Sequence, residues 1–244
     1  MNTNTPDGDA SSGKRPNKWP APARLALSVF GILSGLAVIG FLLISFMLMM
    51  AYPNLPDLDS LATYQPKQPL RVFSADNVLI GEFGEERRSL VRYKDIPKVM
   101  KQAVLAIEDD RFYEHHGVDY WGILRAAIHN ALGGSRQGAS TITQQVAKNL
   151  LLTNEYSYTR KIKEAILAYR IEGALNKQQI ISLYMNEIAL GRQAFGVEAA
   201  AQAYFGKSTD ALELHEMAFL AALPKAPEKY SRARFEREAI GRRN

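Results

Sequence analysis

From Leu25 to Ala51 the chain runs for 27 residues without a charged side chain. A helix of that length spans roughly 40 Å, more than the ~30 Å hydrocarbon core of a bilayer requires. A signal-peptide core would be shorter and would end in a small-residue cleavage site, which is not evident here. A buried helix of a soluble domain would carry polar residues along one face. Residues 25–51 are therefore expected to form a single transmembrane helix. Lys14, Arg15, Lys18 and Arg24 precede it, and Asp57 and Asp59 follow it. The positive-inside rule then makes residues 1–24 a cytoplasmic tail, disordered by its polar composition, and puts everything after Tyr52 outside the cell membrane, in a periplasmic or extracellular domain.

A chain of 244 residues leaves room beyond such an anchor for one sizeable domain. The absence of cysteine excludes a disulfide scaffold, a thiolate zinc site and a cysteine nucleophile. The formal charge of +5 suits either an ordinary surface or a domain working beside anionic headgroups or a phosphate-bearing substrate. There is no arginine-rich arm and no interleaved aromatic and basic stripe, so nucleic acid is not an expected partner.

Residues 52–70 contain Pro53, Pro56, Pro66 and Pro69 and read as an extended linker. Two short β-like runs, Arg71–Ser74 and Val78–Phe83, flank Ala75, Asp76 and Asn77 as a small hairpin. From Ile96 the period becomes helical: Ile96, Val99, Met100, Ala103, Val104 and Ile107 form one apolar stripe. Further helices are predicted over about 119–132, 141–152, 160–175, 177–189, 196–204 and 212–222. Thr141 with Gln144, and Asn176 with Gln179, have the spacing of capping boxes. The fold class is mainly α, with a β-hairpin before the helical domain. Gly133, Gly134 and Gly138 make the loop between two of these helices mobile, and no Gly-Lys-Ser/Thr follows to make it a phosphate cradle of the Walker type.

Three groups of side chains could carry chemistry. The first is Glu108-Asp109-Asp110-Arg111-Phe112-Tyr113-Glu114-His115-His116-Gly117, directly after the apolar stripe. It could be a solvated helix end, but Glu108 adjoins the apolar Ile107, and a partly desolvated carboxyl is what glycosyl transfer needs as a base. The histidines lack metal-ligand spacing, so no metal site is expected. The second is the Gly138–Asn149 segment, where Thr141, Gln145 and Lys148 fall on one helix face near its N-terminus, suited to a sugar and a phosphate. The third is Arg160, Lys161 and Glu164, which could be a surface ion-pair set or two cations and a carboxylate holding a diphosphate.

Together, and in this order, these segments resemble the lysozyme-like peptidoglycan glycosyltransferases found in class A penicillin-binding proteins and in monofunctional enzymes. The resemblance starts at Arg71 and continues to about Tyr230. It rests on EDxxFxxHxG from Glu108, GxSTITQQ from Gly138 with Lys148, RKxxE from Arg160, KQQII from Lys177 through Tyr184 and Asn186 to Gly191, FGVEAAA from Phe195, and AALPKAP from Ala221. Ser182 departs from the family, which usually carries Glu there.

The resemblance implies a lysozyme-like glycosyltransferase domain over 71–232, with 233–244 as a truncated C-terminal extension. It implies polymerisation of lipid II into β-1,4-linked strands, with inversion at the MurNAc C1 and release of undecaprenyl diphosphate. Glu108 would be the general base on the acceptor 4-hydroxyl, and Glu164 would assist the leaving diphosphate. Asp109, Phe112 and His115 would shape the pocket; Thr141, Gln145, Lys148, Arg160 and Lys161 would bind sugar and phosphate. No cofactor is obligatory, although a divalent cation (magnesium or manganese) could assist Glu164. Partners implied are lipid II, the growing glycan strand and membrane lipid, together with proteins of cell-wall synthesis, division and elongation. The competing readings are a lysozyme-like hydrolase or lytic transglycosylase, against which the cation cluster speaks, and a non-catalytic membrane scaffold, against which Glu108 and Glu164 speak. No KTG occurs, and the one SxxK, Ser11 to Lys14, lies in the tail, so no transpeptidase site is expected within these residues.

Overall fold

A computed structural model describes residues 21–56, 70–84, 86–133, 137–152, 158–232 and 236–243. The expected tail of residues 1–24 and linker of 52–70 lie mostly outside them. The chain divides into two compact units, Met1–Met49 and Met50–Asn244. In the first, helix α1 (Ala21–Ala51) contains an apolar stretch, Pro22–Met50, of mean hydropathy 2.5, long enough to cross a membrane. Its side chains are almost all exposed, as an apolar helix with no protein partner in its own unit must be.

In the second unit, β1 (Leu70–Phe73) and β2 (Leu79–Phe83) pair antiparallel, with Leu70 opposite Phe83. Asn77 turns the chain at φ 63°, and Ser74 accepts from the N–H groups of both Asn77 and Val78. A short side chain that tolerates the left-handed region is what this turn requires. The hairpin is where the residue pattern puts it. A second pairing was not expected: β3 (Arg87–Arg88) runs parallel to β4 (Ala194–Phe195). Two-residue strands carry no alternation to read.

Seven of the remaining helices build the domain: α2 (Lys98–Glu108), α3 (Tyr120–Ala131), α4 (Ile142–Leu151), α5 (Tyr158–Ala174), α6 (Lys177–Glu187), α7 (Val197–Phe205) and α8 (Leu214–Ala222). Their ends fall within two residues of the predicted ones, because period and caps agree. Both capping boxes form, Thr141 with Gln144 and Asn176 with Gln179. Helix α4 packs against α5 and α6, burying Ile142, Val146 and Ala147, while α2 packs against α8, with Met100, Val104, Met217 and Leu220 in one core cluster. The stripe on α2 is narrower than its sequence suggests: Ile96, Met100 and Val104 are buried, whereas Val99 is exposed.

Two further helices follow, α9 (Pro227–Tyr230) and α10 (Glu236–Arg243). The sequence reading placed no helix after 222 and set 233–244 apart as an extension. Helix α10 instead packs against α8, and Ala239 is fully buried. Its charge-rich sequence offers only Ala239 and Ile240 as apolar residues, too few to mark a helix face by period.

Candidate active site

Glu108 is the last residue of α2, and the chain leaves the helix at Asp109. Asp109 is buried, and its carboxylate makes two connections that set the direction of everything around it. Oδ2 accepts from the backbone N–H of Ile142, the first residue of α4, at 2.9 Å. The same carboxylate meets His115 Nε2 at 2.9 Å. Since His115 Nδ1 accepts from the Gly117 N–H at 3.2 Å, the ring proton belongs on Nε2, donated to Asp109. A carboxylate at an orphan N–H of a helix start is favoured by both the hydrogen bond and the dipole. Asp109 therefore fastens the end of α2 to the beginning of α4.

Gly117 closes this loop. Its carbonyl accepts from Thr141 Oγ1 at 2.6 Å, and its φ is +91°. A Cβ at this position would stand 2.7 Å from the backbone oxygen of Ala168, so only glycine fits. Behind the loop, Phe112 is 1% exposed, and the Lys177 ammonium lies 4.3 Å from its ring centroid. Lys177 also donates to the His115 carbonyl and to Glu172, which accepts from Thr143 as well. Phe112 and His115 thus lie beneath the site, while Asp109 and Thr141 reach its lining, with the Thr141 hydroxyl occupied by Gly117 and by the Gln144 N–H.

The result brings α4 up to Glu108. Gln145 Nε2 donates to Glu108 Oε2 at 2.9 Å, and the Tyr184 hydroxyl reaches Gln145 Oε1 at 3.5 Å, the outer limit of a hydrogen bond. Burial, and then the charge of Glu108, push the Tyr184 phenol well above its usual range, so it stays an O–H donor. On the other side, Arg242 Nη2 donates to Glu108 Oε1 at 3.0 Å. The Glu108 side chain is 11% exposed and lines a cleft with Gly122, Ala126, Gly138 and Ser140.

The third predicted cluster is also assembled. The Glu164 side chain is 1% exposed, with Arg160 Nε at 3.4 Å and Lys161 Nζ at 2.5 Å. Lys161 donates to Ser140 Oγ at 3.1 Å as well, and Ser140 lines the Glu108 cleft. The two acidic centres are therefore joined by a short path through Lys161 and Ser140. Lys148 is half-buried on α4 and makes no ion pair or hydrogen bond among the described residues. Sequence reasoning missed Arg242, Tyr184 and Ser140. Tyr184 and Ser140 lie within quoted motifs, but nothing near Arg242 signals a contact 134 residues back along the chain.

The family model described as Transglycosylase matches residues 76–244.

The chain belongs to the transglycosylase family.

Its transglycosylase domain is a peptidoglycan glycosyltransferase, and it is an enzyme domain of mainly α, lysozyme-like fold. It is 51% identical over 209 residues to penicillin-binding protein 1A of Neisseria flavescens, covering 85% of this chain and 26% of that protein. It is 50% identical over 193 residues to penicillin-binding protein 1A of Escherichia coli K12, covering 79% of this chain and 23% of that one. The chain thus spans about a quarter of the length of these relatives. Among solved structures it is similar to penicillin-binding protein 1A from Haemophilus influenzae, with 30% identity, a TM-score of 0.38, and coverage of 73% of this chain and 17% of that one.

Proposed function

We propose that this transglycosylase domain polymerises lipid II into β-1,4-linked glycan strands at the outer face of the cell membrane. The observation that carries the proposal is the placement of Glu108: a carboxylate at a helix end, 11% exposed, lining a cleft and held by fixed donors. Glu108 takes the proton of the acceptor 4-hydroxyl as that oxygen attacks the donor C1, displacing undecaprenyl diphosphate with inversion. Lys148, Arg160 and Lys161 supply positive charge for the diphosphate, and Glu164 orients the last two. Thr141 lines the cleft with its hydroxyl already engaged, which suits a role in holding α4 in place, and Gln145 reaches the Glu108 carboxylate itself.

The residues present do not favour a resident divalent ion beside Glu164. Its carboxylate is already matched by two cations, and no group of three metal-donor side chains stands together among the described residues. Departure of the diphosphate is therefore assigned to protein cations, with no step through a metal.

The membrane setting follows from α1 and from α3. Gly122 and Ala126 on α3 line the Glu108 cleft, while Tyr120, Trp121, Leu124 and Ile128 at its other faces, and Leu132 just after it, are exposed. Such a patch beside the cleft suits contact with lipid, where the polyprenyl tail of the substrate stays. With α1 as the anchor and its basic flank inside, the domain faces the periplasm or the exterior. Partners are lipid II, the growing strand and membrane lipid; proteins of wall synthesis, division and elongation join them on family resemblance alone.

The discriminating experiment supplies the purified chain with lipid II or with intact peptidoglycan. High-molecular-weight strands from lipid II, with no fragments released from the wall, are expected. Soluble fragments from the wall without strand formation would establish a hydrolase or lytic enzyme instead.

A further inference from the structure

Glu108 is gripped from two helices, one donor on each oxygen: Gln145 from α4 on Oε2 and Arg242 from α10 on Oε1. Two donors on different oxygens fix both the tilt and the rotation of the carboxylate plane. A carboxylate has about four lone-pair directions, so this arrangement still leaves room for an incoming hydroxyl. Gln145 is itself backed by Tyr184. Arg242 is anchored in another way. Its Nε donates to the carbonyl of Ala222, the last residue of α8, at 3.1 Å, while its Nη2 holds Glu108. One guanidinium therefore bridges the negative end of α8 and the proposed base, using two donors of its rigid fork at once.

We infer that Arg242 is a positioning residue for Glu108, and that α10 belongs to the catalytic apparatus. The inference rests on the reading of Glu108 as the base. Arg242 acts through the carboxylate: its charge-assisted bond, at 3.0 Å, is directional, and it holds the oxygen aimed at the acceptor hydroxyl in place before substrate arrives. A neutral replacement leaves Glu108 held on one oxygen only, free to rotate. A lysine keeps the charge but cannot bridge the Ala222 carbonyl and Glu108 with a planar fork.

The test is steady-state lipid II polymerisation by the full chain in detergent, comparing wild type, Arg242→Lys, Arg242→Gln, Glu108→Gln and the double variant Glu108→Gln with Arg242→Gln. For Arg242→Gln, kcat falls about 10²-fold, the scale of a misplaced catalytic group, while KM stays within about twofold of wild type. Arg242→Lys recovers part of kcat at unchanged KM. The double variant is no slower than Glu108→Gln alone, because both changes act through one carboxylate. Unchanged kcat in Arg242→Gln, a loss expressed mainly in KM, or multiplied losses in the double variant would each overturn the inference. Should Arg242→Gln melt early, Arg242→Lys decides: a kcat between wild type and Glu108→Gln at unchanged melting temperature supports the bridge, and wild-type kcat overturns it. Near-normal turnover in Glu108→Gln would instead defeat the reading of Glu108 itself, a result separate from failure of the Arg242 bridge.

Discussion

The residue that organises the site is Asp109 rather than either proposed catalytic glutamate. It joins the end of α2 to the first N–H of α4 and fixes the ring of His115, so that Glu108 and Gln145 meet. Replacing Asp109 by Asn puts an amide NH2 where a donor already points or gives up one acceptor oxygen. Either way, a buried hydrogen bond to a charged group is lost. Thermal or urea unfolding should show a loss of about 1–3 kcal/mol, and polymerisation should slow even at temperatures where the variant is folded. Gly117 makes a second, purely steric demand. Gly117→Ala combines a left-handed φ with a Cβ 2.7 Å from the Ala168 oxygen, so destabilisation on the order of 1–3 kcal/mol or more is expected in the same assay. These side chains were legible as a motif in the sequence, because the EDxxFxxHxG and STITQQ stretches stand close to their helix ends. Their partnership was not: a hydrogen bond from Ile142 to Asp109 spans 33 residues and leaves no periodic trace.

At the scale of elements, α8 is the platform on which α2 and α10 both rest, and its start is held by a charged clamp. Glu216 accepts from Lys207 at 2.8 and 3.0 Å and from the Glu213 N–H at 2.8 Å. The Lys207 hydrogen bond, then the Glu213 N–H, hold the Glu216 carboxyl below the usual carboxylate range. A depressed folded-state pKa contributes stability above the unfolded value of about 4.3, and that contribution is lost as pH falls through the lower folded value. Lys207→Met should therefore melt below wild type at neutral pH, and the gap should close as the solution is acidified below about pH 4. A gap that persists unchanged at low pH would assign the effect to packing of the lysine stem. The helices themselves were largely legible, since apolar period and capping boxes agree. What escaped was α10, whose sequence from Glu236 to Arg243 is mostly charged and whose docking depends on Ala239 and on Arg242 finding partners far away. The β3–β4 pair escaped for a related reason, being held by long-range pairing between segments too short to show a pattern.

At the scale of the whole molecule, the chain is an apolar helix followed by a unit with its own core, Met50–Asn244. Removal of residues 1–51 should leave that unit folded, with helical far-UV circular dichroism and a cooperative melt, because the core cluster draws on no residue before Leu55. Polymerisation should slow in vesicles more than in detergent, where no bilayer concentrates enzyme and substrate. A product without helical signal would contradict this division. The anchor was the most legible part of the sequence, since length and lack of charge suffice. The site was legible in its residue types, whereas its assembly depends on contacts between α2, α4, α5 and α10 that only the fold supplies. The proposed reaction turns on Glu108 as the base that activates the acceptor. The most direct measurement is single-turnover polymerisation of lipid II by Glu108→Gln at saturating substrate, with lipid II binding and melting temperature measured alongside. The chemical step should fall by ~10²–10⁴-fold, with binding and melting close to wild type; turnover near wild type would contradict the account.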